Sequence, residues 1–226
     1  ASYFFTSLLV CFFTFFFNLA LTRIGSLHIV TTMDTNYSLG REYWEDKLAE
    51  ISSNLESEAQ LCLIGSMVGM LNGQPSRESI DVDVLRRESA YHLSDLKQAT
   101  EKAGLLFNPT SEHPASPYIQ IVVEGIVEVG HWQDADTEQI LNEGKLQLSA
   151  PPVENLIASK LIRASDMDVE DIRYMMSSLR PDAERIKEIV ENFSPANSER
   201  AKENFIYVEV FSQERGEHDE TEGVKR

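Results

Sequence analysis

Apolar residues recur every three to four positions from Tyr43 through Trp44, Leu48 and Ile51 to Leu55. That spacing predicts an amphipathic helix, capped near Ser38 and ending about Leu55. Leu61-Cys62-Leu63-Ile64 is a short apolar run bounded by Gly65-Ser66 and reads as a buried strand. Met67 to Leu71 predict a short helix stopped by Asn72-Gly73. Ile80 to Leu85 alternates with a period of two, so Asp81 and Asp83 share one strand face and Ile80, Val82 and Val84 the other. A helix capped by Ser94 carries Leu96, Ala99 and Ala103 and stops at Gly104. Asn108 to Pro117 reads as a loop. Tyr118–Val123 and Ile126–Val129 read as a hairpin through Glu124-Gly125, and Lys145–Leu148 as a further strand. After Pro151-Pro152 the pattern is helical, with candidates at Glu154–Ala164, Val169–Leu179, Ala183–Phe193 and Ser198–Gln213. The fold class is therefore α+β, a mixed-sheet core followed by a C-terminal helical subdomain. The boundaries expected are an apolar leader over 1–32, a core over 33–150, the helical subdomain over 151–213 and an acidic disordered tail over 214–226.

Chemistry concentrates on a few of these elements. Two carboxylates side by side on a strand, Asp81 and Asp83, repel each other unless a cation lies between them. A hard divalent ion such as Mg²⁺, partnered by substrate phosphates, answers that repulsion. The alternative is a solvated strand face. Gly65 and Ser66 make a tight turn and an N-cap, or a backbone and hydroxyl cradle for a phosphate. Arg77 and Ser79 precede the carboxylate strand, either at the surface or against a phosphate. On the helix 154–164, Lys160 is the single charge in the apolar stripe of Leu156, Ile157, Leu161 and Ala164. It either snorkels at the stripe's edge or reaches into a cleft towards a triphosphate or a carboxylate. Asp168 reads as an N-cap with Asp171 at N3 of the same helix. His92, His113, His131 and Trp132 have no partner in the pattern.

The order strand, Gly65-Ser66, helix, then Asp81-Val82-Asp83 on the next strand resembles the nucleotidyltransferase superfamily with the DNA polymerase β-like core. Pro152 to Leu161, followed by Asp168 to Asp171, resembles a segment of AbiEii-like nucleotidyltransferases, the toxins of type IV toxin–antitoxin pairs. The chain is also similar to small bacterial nucleotidyltransferase-like proteins of unassigned function. The resemblance runs from about Leu39 to Glu209. It implies transfer of a nucleoside monophosphate from a nucleoside triphosphate to an RNA or protein hydroxyl. Asp81 and Asp83 would hold Mg²⁺. Gly65, Ser66, Arg77, Ser79 and Lys160 would surround the nucleotide, with Asp171 nearby. A tRNA or protein acceptor and an antitoxin protein are the partners it implies. Active superfamily members commonly carry a third carboxylate on a later strand. The matching position here holds Gln120, and Glu124 and Glu128 fall outside the pattern. The alternative function is a degenerate, inactive fold that binds a nucleotide or a protein.

The 226 residues, 42% of them hydrophobic, suffice for one core with a helical extension. A net charge of −17 disfavours stable DNA binding, which relies on Lys and Arg neutralising phosphates. Cys11 and Cys62 give no disulfide framework, and Cys62 falls in a buried strand. No cysteine or histidine pair has zinc-ligand spacing. Residues 1–22 carry no charge and are long enough to span a bilayer. The favoured expectation is a start at Met33 and a cytoplasmic protein, and the alternative is a membrane anchor through 1–22.

Overall fold

The computed structural model describes residues 39–110 and 116–223, so the expectations for Ser38, His113 and the leader fall outside the described residues. Six strands form one mixed sheet: β1 (Ala59–Ile64), β2 (Asp81–Leu85), β3 (Leu106–Phe107), β4 (Tyr118–Val122), β5 (Glu138–Glu143) and β6 (Leu146–Ala150), in the order β3-β4-β2-β1-β6-β5. β1 pairs antiparallel with β2 and parallel with β6, while β2 runs parallel to β4. Asp81 is paired with Tyr118, and Asp83 with Gln120. Val82, Val84 and Ile119 point to the other face, into the core.

Helix α1 (Arg41–Asn54) buries Trp44, Leu48 and Ile51 and packs on α3 (Leu93–Lys102). The Trp44 indole donates to the Ser79 carbonyl at 2.8 Å, which ties α1 to the approach to β2. The short α2 (Ser66–Leu71) lies against β1 and β2. Five helices follow: α4 (Val153–Leu161), α5 (Asp166–Ser178), α6 (Ala183–Glu191), α7 (Pro195–Glu203) and α8 (Ile206–Gly223). Among the described residues no helix is long and apolar enough to cross a membrane.

The structure departs from the sequence pattern in several places. Ile126–Val129 is not a strand; only an isolated bridge joins Glu124 and Val127. The hairpin is β5–β6 instead, turning at Gly144-Lys145. β5 is an edge strand of sequence Glu-Gln-Ile-Leu-Asn-Glu, mostly exposed, so it has no apolar alternation to announce it. The stretch from Ser198 to Gln213 is split between α7 and α8, and α7 begins at Pro195, a residue suited to a first helical turn. α8 continues past Gln213, held in part by Arg173, which lies over the Phe211 ring and pairs with Glu214. α3 begins at Leu93 after His92, with no side-chain cap from Ser94.

Candidate functional site

β2 delivers Asp81 and Asp83 to the floor of a cleft of about 670 Å³, bounded by Gly65 and Ser66, by the turn 126–129, and by α4, α5 and α7. Each carboxylate is fixed differently. Asp81 accepts from the Ser79 hydroxyl at 2.9 Å and from the Tyr118 hydroxyl at 3.1 Å. Asp83 is the more deeply set. Burial and the neighbouring Asp81 charge push its pKa up to about 7, against the opposing pull of Lys160 and Arg163. Burial and the Asp81 carboxylate likewise raise the Tyr118 hydroxyl to about 12, so it stays a donor.

Gly65 sets how closely the β1–α2 turn can approach. Its φ of +76° lies where a side chain is strained, and a Cβ built there would come 2.9 Å from Asp83 Oδ2. Gly65→Ala is therefore expected to destabilise the fold by about 1–3 kcal/mol and to push the Asp83 carboxylate aside. Chemical denaturation of the variant, with metal binding measured alongside, checks both effects.

The cations of the cleft are held by two buried aspartates on α5. Arg77 donates from Nε to Asp171 Oδ1 at 2.8 Å and also bonds the Ser66 hydroxyl. Lys160 Nζ lies 2.7 Å from Asp171 Oδ2 and 3.3 Å from Asp168 Oδ1. Gln74 adds a bond from Nε2 to Asp171 Oδ1 at 2.8 Å. Asp168 receives Arg163 through two bonds, at 2.7 and 2.9 Å. Burial would raise the Asp168 pKa, but Arg163, the Ser165 hydroxyl and Lys160 together hold it well below the usual carboxylate range.

The N-cap of α5 is Ser165, three residues earlier than expected, with Asp168 completing a capping box at N3. Asp171 has no capping role: its side chain is almost fully buried between Arg77 and Lys160. The sequence placed Ser165 three residues before an acidic residue, and that signal would have found the box.

These shifts set a sign for stability against pH. The raised pKa of Asp83 means the folded chain holds that proton more tightly than the unfolded one. Its contribution is full below about pH 4 and is lost as pH rises through about 7. Asp168 works oppositely, its contribution present above about pH 4 and lost on acidification. Between pH 5 and 8 Asp168 stays ionised, so without divalent cation stability is expected to fall by about 2–3 kcal/mol. Asp83→Asn should flatten that slope in urea titrations across the same range.

Other expected residues sit as follows. Gln120, beside Asp83 on β4, donates from Nε2 to Asn108 Oδ1 at 2.6 Å, so its amide is committed to that loop. Glu128 accepts from Ser194 N and Oγ, both at 2.8 Å, and from Asn197 Nδ2 at 2.7 Å, anchoring the start of α7. Ser79 turns its hydroxyl onto Asp81. Ile80 precedes β2 and lines the cleft, instead of joining Val82 and Val84 in the core. Trp132 bonds Thr137 and lies under Arg87, outside the cleft. Cys62 is buried, and burial, with Glu88 nearby, pushes its thiol up to about 12, which suits an inert core residue. Tyr118, Asn155 and Arg200 were missed. Asn155 is buried on α4 and donates to the Val129 carbonyl at 2.8 Å, fixing the end of the 126–129 turn. Arg200 reaches the cleft from α7.

A family described as nucleotidyltransferase of unknown function (DUF6036) has a sequence model that matches residues 45–215. The chain belongs to that family. The match spans the carboxylate strand, the Gly65-Ser66 turn and the Lys160–Asp171 pairing, so every part of the cleft described above lies within the family's shared region. Among solved structures, the chain resembles a candidate nucleotidyltransferase from H. pylori at 11% identity and a TM-score of 0.42, over 78% of this chain and 95% of that one. So loose a superposition transfers no residue. Among curated proteins, none matches the chain in sequence.

The donor set also bears on the metal that nucleotidyltransferases use. Among the described residues no group of three or more His, Cys, Asp or Glu side chains could hold an ion by itself. Two hard carboxylates on one strand face, open to the cleft, fit Mg²⁺, which keeps several coordination positions for water and substrate phosphates.

Proposed function

We propose that this protein is a Mg²⁺-dependent nucleotidyltransferase that moves a nucleoside monophosphate from a nucleoside triphosphate to an RNA or protein hydroxyl. The observation that carries this reading is the paired Asp81 and Asp83 at the floor of a cleft whose walls carry Arg77, Lys160 and Arg163. Mg²⁺, when bound, would offset charge on the phosphates as pyrophosphate leaves. Asp81, steadied by Ser79 and Tyr118, and Asp83 would hold it. Arg77 and Lys160 would turn from Asp171 towards the triphosphate, and Gly65 and Ser66 would let its backbone-facing oxygens approach. The acceptor oxygen bonds the α-phosphorus while the bond to the bridging oxygen breaks and the acceptor's proton passes to solvent. Resemblance of the Pro152–Leu161 and Asp168–Asp171 segments to AbiEii-like proteins supports a place in a toxin–antitoxin pair, with a small antitoxin protein as partner.

Gln120 favours a second reading. The position next to Asp83 on β4 offers an amide engaged by Asn108 where a third carboxylate would serve as base or metal ligand. A chain of this kind would bind a nucleotide, or a protein, without turnover. Release of pyrophosphate from each NTP in turn, with an RNA pool and a peptide pool as acceptors, separates the two. Mg²⁺-dependent release above that of Asp83→Ala supports transfer; nucleotide binding without release supports the binding module.

A further inference from the structure

The mouth of the cleft is aliphatic. Nine large hydrophobic side chains are exposed among the described residues, and four of them ring this cleft: Ile80, Ile126, Val127 and Met167. Ile126 is 72% exposed and Met167 55%, so they form a rim and not a floor. They come from separate elements, the approach to β2, the 126–129 turn and the first turn of α5. The turn is held in place at its far end by Asn155 and, through Glu128, by the start of α7. Apolar side chains gathered at the edge of a site, on anchored backbone, mark a surface built for contact.

The chemistry of the rim discriminates between partners. Unpaired RNA is recognised by stacking its bases on aromatic rings and by neutralising its phosphates. Among the described residues the cleft wall carries no Phe, Trp or His, and Tyr118, beside Asp81, turns its hydroxyl onto that carboxylate. Of its cations, Arg77 and Lys160 are already assigned to the triphosphate and Arg163 pairs with Asp168, which among the described residues leaves Arg200 as the one without an ion pair. Chain-wide, 37 acidic residues face 20 basic ones, a field that repels a polyanion and attracts a basic segment. Aliphatic side chains with a methionine are, by contrast, what a peptide's apolar residues pack against.

We propose that the rim of Ile80, Ile126, Val127 and Met167 seats the acceptor, and that the acceptor is a polypeptide presenting a Ser, Thr or Tyr hydroxyl between apolar residues with basic flanks. This rests on the nucleotidyltransferase reading and names the acceptor class for the same cleft. The hydroxyl would reach the floor at Asp81 and Asp83 while its neighbours lie on the rim. The peptide oxygen becomes a phosphodiester oxygen, pyrophosphate leaves, and the hydroxyl proton goes to solvent.

The test uses the full chain, α-labelled NTPs with Mg²⁺, and two acceptor pools. One pool holds synthetic twelve-residue peptides with a central Ser, Thr or Tyr, Leu or Ile neighbours, and either Lys or Glu flanks; the other is total tRNA. Label is expected in the Lys-flanked peptides, at least about tenfold above the Glu-flanked ones and above tRNA. The exposed double variant Ile126→Ser/Val127→Ser should lose about tenfold in peptide labelling while its Mg²⁺–NTP affinity, measured by calorimetry, stays within about twofold of wild type. Label in tRNA, or full labelling by the rim variant, would overturn the proposal and leave the nucleotidyltransferase reading standing; no label in either pool from a chain that binds Mg²⁺–NTP would overturn it and favour the binding module. Absence of Mg²⁺–NTP binding by the wild type would remove that reading itself.

Discussion

Replacing Asp81 and Asp83 together by asparagine is expected to abolish Mg²⁺-dependent nucleotide binding and to cut any transfer by roughly a thousandfold or more. Among the described residues the two side chains are the only adjacent pair of carboxylates open to the cleft floor, because Asp168 and Asp171 are spent on Arg163, Lys160 and Arg77. Asparagine keeps the shape of each side chain but removes the charge that a hard cation needs. The same change should stabilise the metal-free fold at pH 8, since it removes a buried charge lying beside another. Loss of function together with gained stability is a signature that simple misfolding cannot produce. Unfolding curves and nucleotide titrations on one preparation read both.

Asp171→Ala should be among the most damaging single substitutions for the fold. It strands Arg77, mostly buried, without a counter-charge, leaves the buried Lys160 only its longer contact to Asp168, and leaves the Gln74 amide without its acceptor. Breaking a buried pair from one side costs about 3–5 kcal/mol, which for a domain of this size lowers Tm by about 10 °C. Glu45→Ala provides the contrast. Its partner Arg41 is exposed, as Glu45 is, so the change should stay within about 0.5 kcal/mol. If both variants melt together, the α5 aspartates do not hold the cleft as described. Differential scanning calorimetry decides it.

What could be read from the sequence was whatever had a period or a fixed spacing. Asp81 and Asp83 were legible because a strand's alternation leaves little choice of face, and Gly65-Ser66 because a glycine follows an apolar run. Lys160 was legible as a lone charge in an apolar stripe, though its partners were not. Asp171 lies 94 residues from Arg77, and no local pattern carries a contact across that distance. Gln120 was picked out by the family resemblance as the position of a third carboxylate, and the register sets it beside Asp83. The failures share a cause. β5 is an exposed edge whose polar residues carry no signal, and the 126–129 turn is apolar because it faces a cleft, which imitates a strand. Ile80 was grouped on one strand face with Val82 and Val84 by alternation, but it lies one residue before the strand begins and lines the cleft. Tyr118 and Arg200 matter only through tertiary contacts, so nothing near them in sequence marks them out.

The most direct test of the central claim is isothermal titration of the chain with each nucleoside triphosphate, with Mg²⁺ and with EDTA, beside Asp81→Asn/Asp83→Asn. Saturable binding that requires Mg²⁺ and disappears in the double variant is the result predicted. Binding that is indifferent to Mg²⁺ and to both aspartates, or no binding of any nucleotide, would contradict a metal-dependent site at Asp81 and Asp83.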